Sequence, residues 1–441
     1  MNTSPLAYRR VIGLAWPFIL ANAAVPLLGL VDTAVIGNLG SAQDLGAIAF
    51  GALIFSFVYW GFGFLRMGTT GFVAQAAGAS DFLEVRAVLG RSLLLAVGLG
   101  CLLIVLQLPV QWLAFTFLSG SEDVEQMAAL YFSIRIWGAP ATLMGFVGTG
   151  FLVGIGRSKT LLGLQLFLNG LNILLDILLA GVLGLGAAGI ALGTVISEWC
   201  AVLLGAVLLH RVLLEMSPAG ESFWPLEKIL DQKKLAQSLA ANLDIMIRTL
   251  LLVFSFAFFT NQGARFGDIA LAANHILLQI ISFSAFFLDG FAFAAEGLVG
   301  RAFGAGDSLQ FMTAVRRTSV LAAISAVVLA SIVLLSGADL IAALTDLPAV
   351  RLAASNLTYL AAIYILLSVA AFQLDGIFIG ASCTRQMCYG AIQSVLFFLL
   401  VCWMLVSRFG IPGLWWAMIL YVVVRALVLL RYFPQMLSRL G

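Results

Sequence analysis

LFLNGLNILLDILLAGV, residues Leu166 to Val182, is an apolar run long enough to cross a membrane, interrupted by only three polar side chains. Asn172 and Asp176 are four apart and Asn169 lies three further back, so on a helix all three share one stripe. A carboxylate at mid-membrane costs roughly 2.5 to 3.5 kcal/mol on insertion scales, so it faces a bundle interior or a wet cavity and carries an ion or proton. Asp176 therefore requires a partner. Asp32, alone in a second apolar run, WPFILANAAVPLLGLVDTAVIG (Trp16 to Gly37), is the candidate.

Composition sets the class. With 62% hydrophobic and 10% charged residues over 441 positions and a mean hydropathy of +1.09, polar groups could not cover the surface of a soluble fold. The chain reads as an all-α polytopic membrane protein. A net charge of +2, without basic clusters interleaved with aromatics, excludes nucleic acid as a partner. Cys101, Cys200, Cys383, Cys388 and Cys402 lack metal-ligand spacing and read as small apolar fillers. No HExxH, GxSxG or GxxxxGK[ST] pattern occurs, which argues against an enzyme and against ATP as the power source. The N-terminus MNTSPLAYRR has no small-residue cleavage site, so the first span is expected to stay.

At about 20 apolar residues per span, twelve transmembrane helices are expected. In the first half they cover roughly 11–37, 45–76, 88–108, 127–155, 161–182 and 186–210. In the second they cover 236–262, 268–300, 316–336, 352–381, 386–407 and 411–432. The longest polar segment, Arg211 to Lys234, separates them. The expected domains are an N-terminal lobe over 1–211, a linker over 212–235 and a C-terminal lobe over 236–441. Arg9/Arg10, Arg86/Arg91, Arg157/Lys159, the linker cations, Arg301/Arg316/Arg317, Arg385 and the tail arginines fall on one side, which the positive-inside rule makes cytoplasmic. Both termini are then inside.

A repeat is visible. AQAAGASD (Ala74 to Asp81) returns as GRAFGAGD (Gly300 to Asp307), and GFLVGIGRSK (Gly150 to Lys159) as GIFIGASCTR (Gly376 to Arg385), both shifted by 226 positions. Two six-helix lobes of the same orientation imply a parallel repeat about an axis along the membrane normal, pseudo-symmetric around a central cleft. The buried acids break that symmetry: the shifted equivalents of Asp32 and Asp176 are Phe258 and Cys402. Coupling chemistry is thus expected in the N-terminal lobe. Asp289, Glu296 and Asp375 belong to the second half. Asp289 and Asp375, with Gln279 and Phe287, are candidates to line the substrate cleft. Asp244 and Arg248, four apart, are expected to pair. Arg66 and Arg135 are expected to bond carbonyls or a carboxylate, and His275 to be a satisfied helix-end histidine. The runs FSFAFF (Phe254 to Phe259) and FSAFFLDGFAF (Phe283 to Phe293) fit a lipid face, a core, or a cleft that receives flat cations.

VPLLGLVDTAVIGNLG (Val25 to Gly40), FLRMGTTGFVAQAAGA (Phe64 to Ala79) and LDGIFIGA (Leu374 to Ala381) resemble the multidrug and toxic compound extrusion (MATE) family, in its DinF-type (DNA-damage-inducible protein F) branch, over nearly the whole chain. The resemblance implies a secondary active antiporter that exports amphipathic, cationic drugs or toxic metabolites in exchange for H+ or Na+ by alternating access. It also implies a site built from Asp32, Asn172, Asp176 and Thr194, the last supplied by the resemblance alone. Tyr131 matches a helix-four tyrosine near that site in some relatives, and Asn169 stands beside it on the stripe.

Two carboxylates brought together in low dielectric are relieved by one shared proton, or by one sodium ion held by Asp, Asn and Thr oxygens. Of the two, H+ is favoured. No cofactor is expected, and no metal beyond Na+ at those four residues. Pro17 and Pro26 each remove a backbone hydrogen bond from the first helix and permit a bend. The family's helix-one proline matches Pro17, and both are candidate hinges. The expected partners are small amphipathic molecules and the lipid bilayer, with the chain a monomer in the bacterial inner membrane. The alternative is a lipid or lipid-linked oligosaccharide flippase of the same architecture, which calls for a strongly cationic cleft.

Overall fold

Lipid offers no partner for a bare peptide group, so a chain this apolar must close its backbone hydrogen bonds within helices, and the computed structural model has no strand among the described residues. Those residues are 6–39, 42–117, 122–216 and 223–440, with the side chains of 25–39, 42, 43 and 117 outside the description. The helices are α1 (Tyr8–Leu39), α2 (Ala42–Gly61), α3 (Phe64–Gly78), α4 (Phe82–Val105), α5 (Gln107–Phe117), α6 (Glu122–Arg135), α7 (Ala139–Gly154), α8 (Ser158–Asp176), α9 (Gly186–Glu215), α10 (Leu226–Ile229), α11 (Gln232–Ala264), α12 (Asp268–Gly304), α13 (Ser308–Leu344), α14 (Pro348–Ser355), α15 (Thr358–Gly380) and α16 (Thr384–Leu437).

Ten described stretches are long and apolar enough to cross a membrane. The last of them, α16, changes direction at Gly410, whose φ of 60° and ψ of −133° interrupt the helix just before Pro412. That kink divides it into two spans, and α1 supplies the remaining one, which gives the expected twelve. Span two is α2 with α3, and span four is α6 with α7, joined by a 3-10 turn at Ile136–Gly138. Two further short helices stand beside the spans: α5, where the sequence reading placed mostly connection, and α14, which overlaps the start of the expected span 352–381 and is separate from α15.

Contacts divide the chain into two compact units. One holds Leu20–Ala76 and Asp81–Ser238; the other holds Met1–Ile19, Ala77–Ser80 and Leu239–Gly441. The boundary inside α1 falls between Pro17 and Pro26. In the first unit the segment before α11 is partly folded rather than free. Ile229 of α10 is buried against Gly90, where a Cβ would come within 2.7 Å of its Cδ1. Arg91 donates to the Lys228 carbonyl at 2.7 Å and pairs with Glu84 at 2.6 Å. In the second unit the core gathers around Phe259, Leu277, Phe398, Trp415 and Tyr421, with α15 and α16 the most enclosed of its spans.

The repeat extends to backbone detail. Ser80 and Gly306, 226 apart, have φ of 58° and 66°; Gly156 and Ser382, also 226 apart, have 72° and 50°. Asp81 accepts from the Glu84 amide and Asp307 from the Gln310 amide, each at 2.8 Å, the same N-cap on α4 and α13. A Cβ on Gly154 would sit 2.9 Å from the Thr70 carbonyl, and one on Gly380 would sit 2.6 Å from the Glu296 carbonyl. Those pairs too are shifted by 226 at both ends, so each unit packs its helices by the same close glycine approach.

Candidate functional site

The buried residues of α8 are Ser158, Leu161, Asn169, Asn172 and Asp176, whereas Leu166, Leu174, Ile177 and Leu178 are exposed. This helix is inside-out: the polar stripe faces protein and the leucines face lipid, as a bilayer dictates. Immediately after Asp176 the helix loosens into a π turn, Ile177–Val182. Such turns are rare and recur at functional sites. A Cβ on Gly189 would meet the Ala180 backbone nitrogen at 2.8 Å, so α9 can approach the π turn only because position 189 has no side chain.

At the centre, the Asn172 amide nitrogen donates to Asp176 Oδ1 at 3.4 Å and to Thr194 Oγ1 at 3.3 Å. Thr194 in turn donates to the Ile190 carbonyl at 2.9 Å. Asp176 and Asn172 are almost completely enclosed, at 0% and 1% exposure. Asn172 Oδ1 meets no donor among the described residues. Gly193, beside Thr194, lets α9 close on the carboxylate, since a Cβ there would lie 2.6 Å from Asp176 Oδ1. Asn169, one turn back, accepts from Gln165 at 3.0 Å and donates to the Ala24 carbonyl of α1 at 3.3 Å. Tyr131 is buried beneath α2, filling the space left at Gly51 and lying against Phe55. The side chains of Asp32 and Pro26, both on α1, lie outside the description.

Two acids of this unit, Asp44 and Glu198, went unread in the sequence. Asp44, buried at the start of α2, accepts the Ala187 amide at 2.8 Å and so caps α9. Arg135 is the last residue of α6 and forks onto Glu198 of α9, with Nη1 to Oε2 at 2.9 Å and Nη2 to Oε1 at 2.6 Å. Phe55 and Tyr59 cover the guanidinium, 5.2 and 5.6 Å from ring centre to Cζ. Arg135 thus finds the carboxylate that a membrane arginine was expected to need. Glu198 satisfied the criterion that singled out Asp176, a lone acid in an apolar span.

The second unit carries a different cluster. Arg248 of α11 and Arg425 of α16 both donate to Asp375 Oδ2 on α15, and all three side chains are buried. Asp289 and Glu296 of α12 add negative charge close to Arg248. The expected Asp244–Arg248 pair is therefore corrected: Arg248 turns inward to Asp375, and Asp244 accepts from the Thr384 hydroxyl at 3.0 Å. A guanidinium in the bundle interior gains more from a buried carboxylate than from the part-exposed acid one turn away. His275 lies 3.4 Å from Gln279. With Thr260, Asp268 and Asn274 it lines a cavity of about 440 Å³ beside the α11–α12 turn. Phe287 stacks edge-on against Phe283 and packs on Ala15, Ile19, Phe291 and Ala322.

The MatE family model matches residues 17–178 and 245–404. The DNA damage-inducible protein F of Escherichia coli is 37% identical over 94% of this chain and 90% of its own length. A probable multidrug resistance protein NorM of Acinetobacter baylyi is 26% identical over 86% and 83%. Solved structures described as MATE in the bent and in the straight conformation superpose with TM-scores of 0.87 and 0.85, at 20% identity, over 98% of this chain and 95% and 96% of theirs.

Proposed function

Because this chain belongs to the MatE family of multidrug and toxin extrusion transporters, multi-pass membrane proteins rather than enzymes, we propose that it is an antiporter. It expels amphipathic, cationic compounds in exchange for H+, and Asp176, Asn172 and Thr194, completed by Asp32, hold the proton. The observation that carries this reading is the enclosed Asp176 on the one polar stripe of a lipid-facing helix. A carboxylate so placed is stable only when neutral or compensated, and exchanging its proton alternates two charge states. Asn172 bonds both Asp176 and Thr194 through its amide, which ties the three side chains into one site. Related proteins are named for multidrug resistance, which supports drugs as cargo.

Proton loading does work only if the two charge states favour different conformations. Pro17 and Pro26 flank the point where α1 passes from one compact unit to the other, which supports α1 as the bending element. The charge pattern supports both termini and the 212–235 linker as cytoplasmic; the proposal further takes the lobes as 1–211 and 236–441 and the protein as a monomer in the bacterial inner membrane. Asp289, Asp375, Gln279 and Phe287 remain the proposed cleft residues.

The test is uptake of a fluorescent cation into proteoliposomes. A pH gradient without sodium drives it in the parent, and Asp176→Asn abolishes it while expression and insertion stay normal. Full transport by Asp176→Asn, or dependence on a sodium gradient alone, overturns the assignment. Pro17→Ala retains drug binding, read by fluorescence quenching, but loses pH-driven release. Parental transport by this variant removes α1 bending from the mechanism.

A further inference from the structure

Glu198 follows Thr194 by four residues on α9, so it lies on the same stripe, about 6 Å further along the axis. Its partner Arg135 follows Tyr131 by four on α6, at the point where the α-helix gives way to the 3-10 turn Ile136–Gly138. A 3-10 segment inside a span commonly marks a hinge. Gly138 begins the next stretch with no side chain: a Cβ there would fall 2.5 Å from Glu198 Oε2 and 2.6 Å from Arg135 Nη1. The pair therefore occupies a slot shaped for it, with Phe55 and Tyr59 closing one side and the two side chains only 9% and 12% exposed.

We propose that the Arg135–Glu198 pair is a positioning and charge-setting pair for Asp176: it clamps α6 to α9 one turn from Thr194, and its mutual neutrality sets how firmly Asp176 holds its proton. This rests on the proton-site reading above. The titratable groups acting on the pair are Tyr59 on α2 and Tyr131 on α6; Asp44 of α2 caps α9 at Ala187, about two turns before Thr194, α7 contributes none, and the side chain of Asp32 on α1 lies outside the description. Arg135 and Glu198 are thus the opposed full charges among the described neighbours. While paired they nearly cancel at Asp176. Neutralising one exposes the other.

The sign follows from Coulomb's law. Glu198→Gln leaves a guanidinium that cannot lose its charge, which favours ionised Asp176, so the pH of half-maximal transport falls. At an effective dielectric constant of about 20, a lone unit charge roughly 10 Å from a titrating group moves its midpoint by about one pH unit, which sets the scale of the shift. Arg135→Met leaves a carboxylate and moves the midpoint up, by less, because an unpaired buried glutamate takes a proton itself. The double variant Arg135→Met/Glu198→Leu removes both charges and returns the midpoint to the parental value. A merely structural pair would lower the rate in both single variants at every pH, and the double variant would do no better.

The experiment measures initial rates of pH-driven uptake of a fluorescent cation in proteoliposomes across external pH, for the parent, both single variants, the double variant and Asp176→Asn. Opposite shifts in the single variants with recovery in the double one establish the proposal. Shifts in the same direction, or unshifted midpoints, overturn it. Where Glu198→Gln does not insert, Glu198→Asp, which keeps the charge, is expected to keep the parental midpoint, and Arg135→Met carries the test: an unshifted midpoint in that variant overturns the proposal equally. Asp176→Asn separates the two layers. If it keeps the parental pH profile, the proton-site reading fails; if it abolishes pH dependence while Glu198→Gln leaves the midpoint unmoved, only the role of the pair fails.

Discussion

Gly193→Ala changes no liganding atom, yet it should shift the proposed proton site. The added methyl would lie 2.6 Å from Asp176 Oδ1 and 3.3 Å from Leu175 Cβ, and the first value is 0.8 Å short of the 3.4 Å at which ordinary contact begins. Neither neighbour is a free side-chain end: Leu175 is fixed at its Cβ, and Asp176 is enclosed. Either α8 and α9 separate or the carboxylate swings away. The Asn172 amide already reaches Asp176 at 3.4 Å and Thr194 at 3.3 Å, so a displacement of most of an ångström breaks at least one of these bonds. Overpacking of this kind costs about 1 to 3 kcal/mol of stability. Losing a hydrogen bond to the ionised carboxylate removes about 1.5 to 3 kcal/mol from the charged form, equivalent to about one to two pH units. Both the methyl and the lost bond disfavour charge, so the pH of half-maximal transport rises. Gly205→Ala on the same helix is the control, since its methyl meets Leu164 Cδ2 at 3.5 Å. The assay is pH-driven uptake in proteoliposomes, with thermal unfolding in detergent to verify folding. A Gly193→Ala protein with the parental midpoint and rate refutes the close approach of α9 as a determinant of the site.

Asp375→Asn leaves Arg248 and Arg425 facing each other across a neutral amide. Breaking a buried ion pair by removing one partner costs about 3 to 5 kcal/mol, so a clear fall in the detergent unfolding temperature is expected, and an unchanged temperature would mean that Asp289 and Glu296 suffice to compensate both arginines. Ser80→Gly should stabilise by up to about 1 kcal/mol, because Ser80 has φ of 58° where its repeat partner Gly306 has 66° and an L-residue in that region carries a steric cost that glycine avoids; a lower unfolding temperature would show that the serine hydroxyl contributes more than the backbone strain removes.

The spans were legible because membrane helices announce themselves by length and hydropathy, and the repeat because its glycine and N-cap motifs carry backbone requirements. The polar stripe of α8 was legible for the same reason: in an apolar run each polar side chain is costly enough to be conspicuous. Pairing was harder to read. Asp244 lies within reach of Arg248 along one helix, but the sequence does not say which way Arg248 turns, and helix packing sends it to Asp375 on α15. Arg135 and Glu198 are 63 residues apart and belong to separate spans, so their fork becomes visible only once α6 lies against α9. The π turn after Asp176 left no signal in ILLAGV, since it arises from how α9 closes over Gly189.

The repeat positions show where charge was free to diverge. The glycine approaches and N-caps recur at a constant shift in both units, because helix crossing and helix initiation are backbone demands on each half alike. The polar residues of the two buried clusters do not recur: 226 positions after Asp176, Asn172 and Thr194 stand Cys402, Phe398 and Leu420, and 226 before Asp375 and Arg425 stand Thr149 and Trp199. Phe398 and Cys402 belong to the apolar core of the second unit, so the place that holds a carboxylate in one unit is packed hydrocarbon in the other. A buried charge is costly wherever it is not needed, and packing alone would have filled both places alike. The second unit neutralises its own carboxylate with two fixed cations, whereas Asp176 is bonded through neutral Asn172, with Thr194 beside it. An acid tied to two arginines changes its protonation only at high cost, which fits the proposed proton at Asp176 and makes the Arg248–Asp375–Arg425 cluster a tie between α11, α15 and α16.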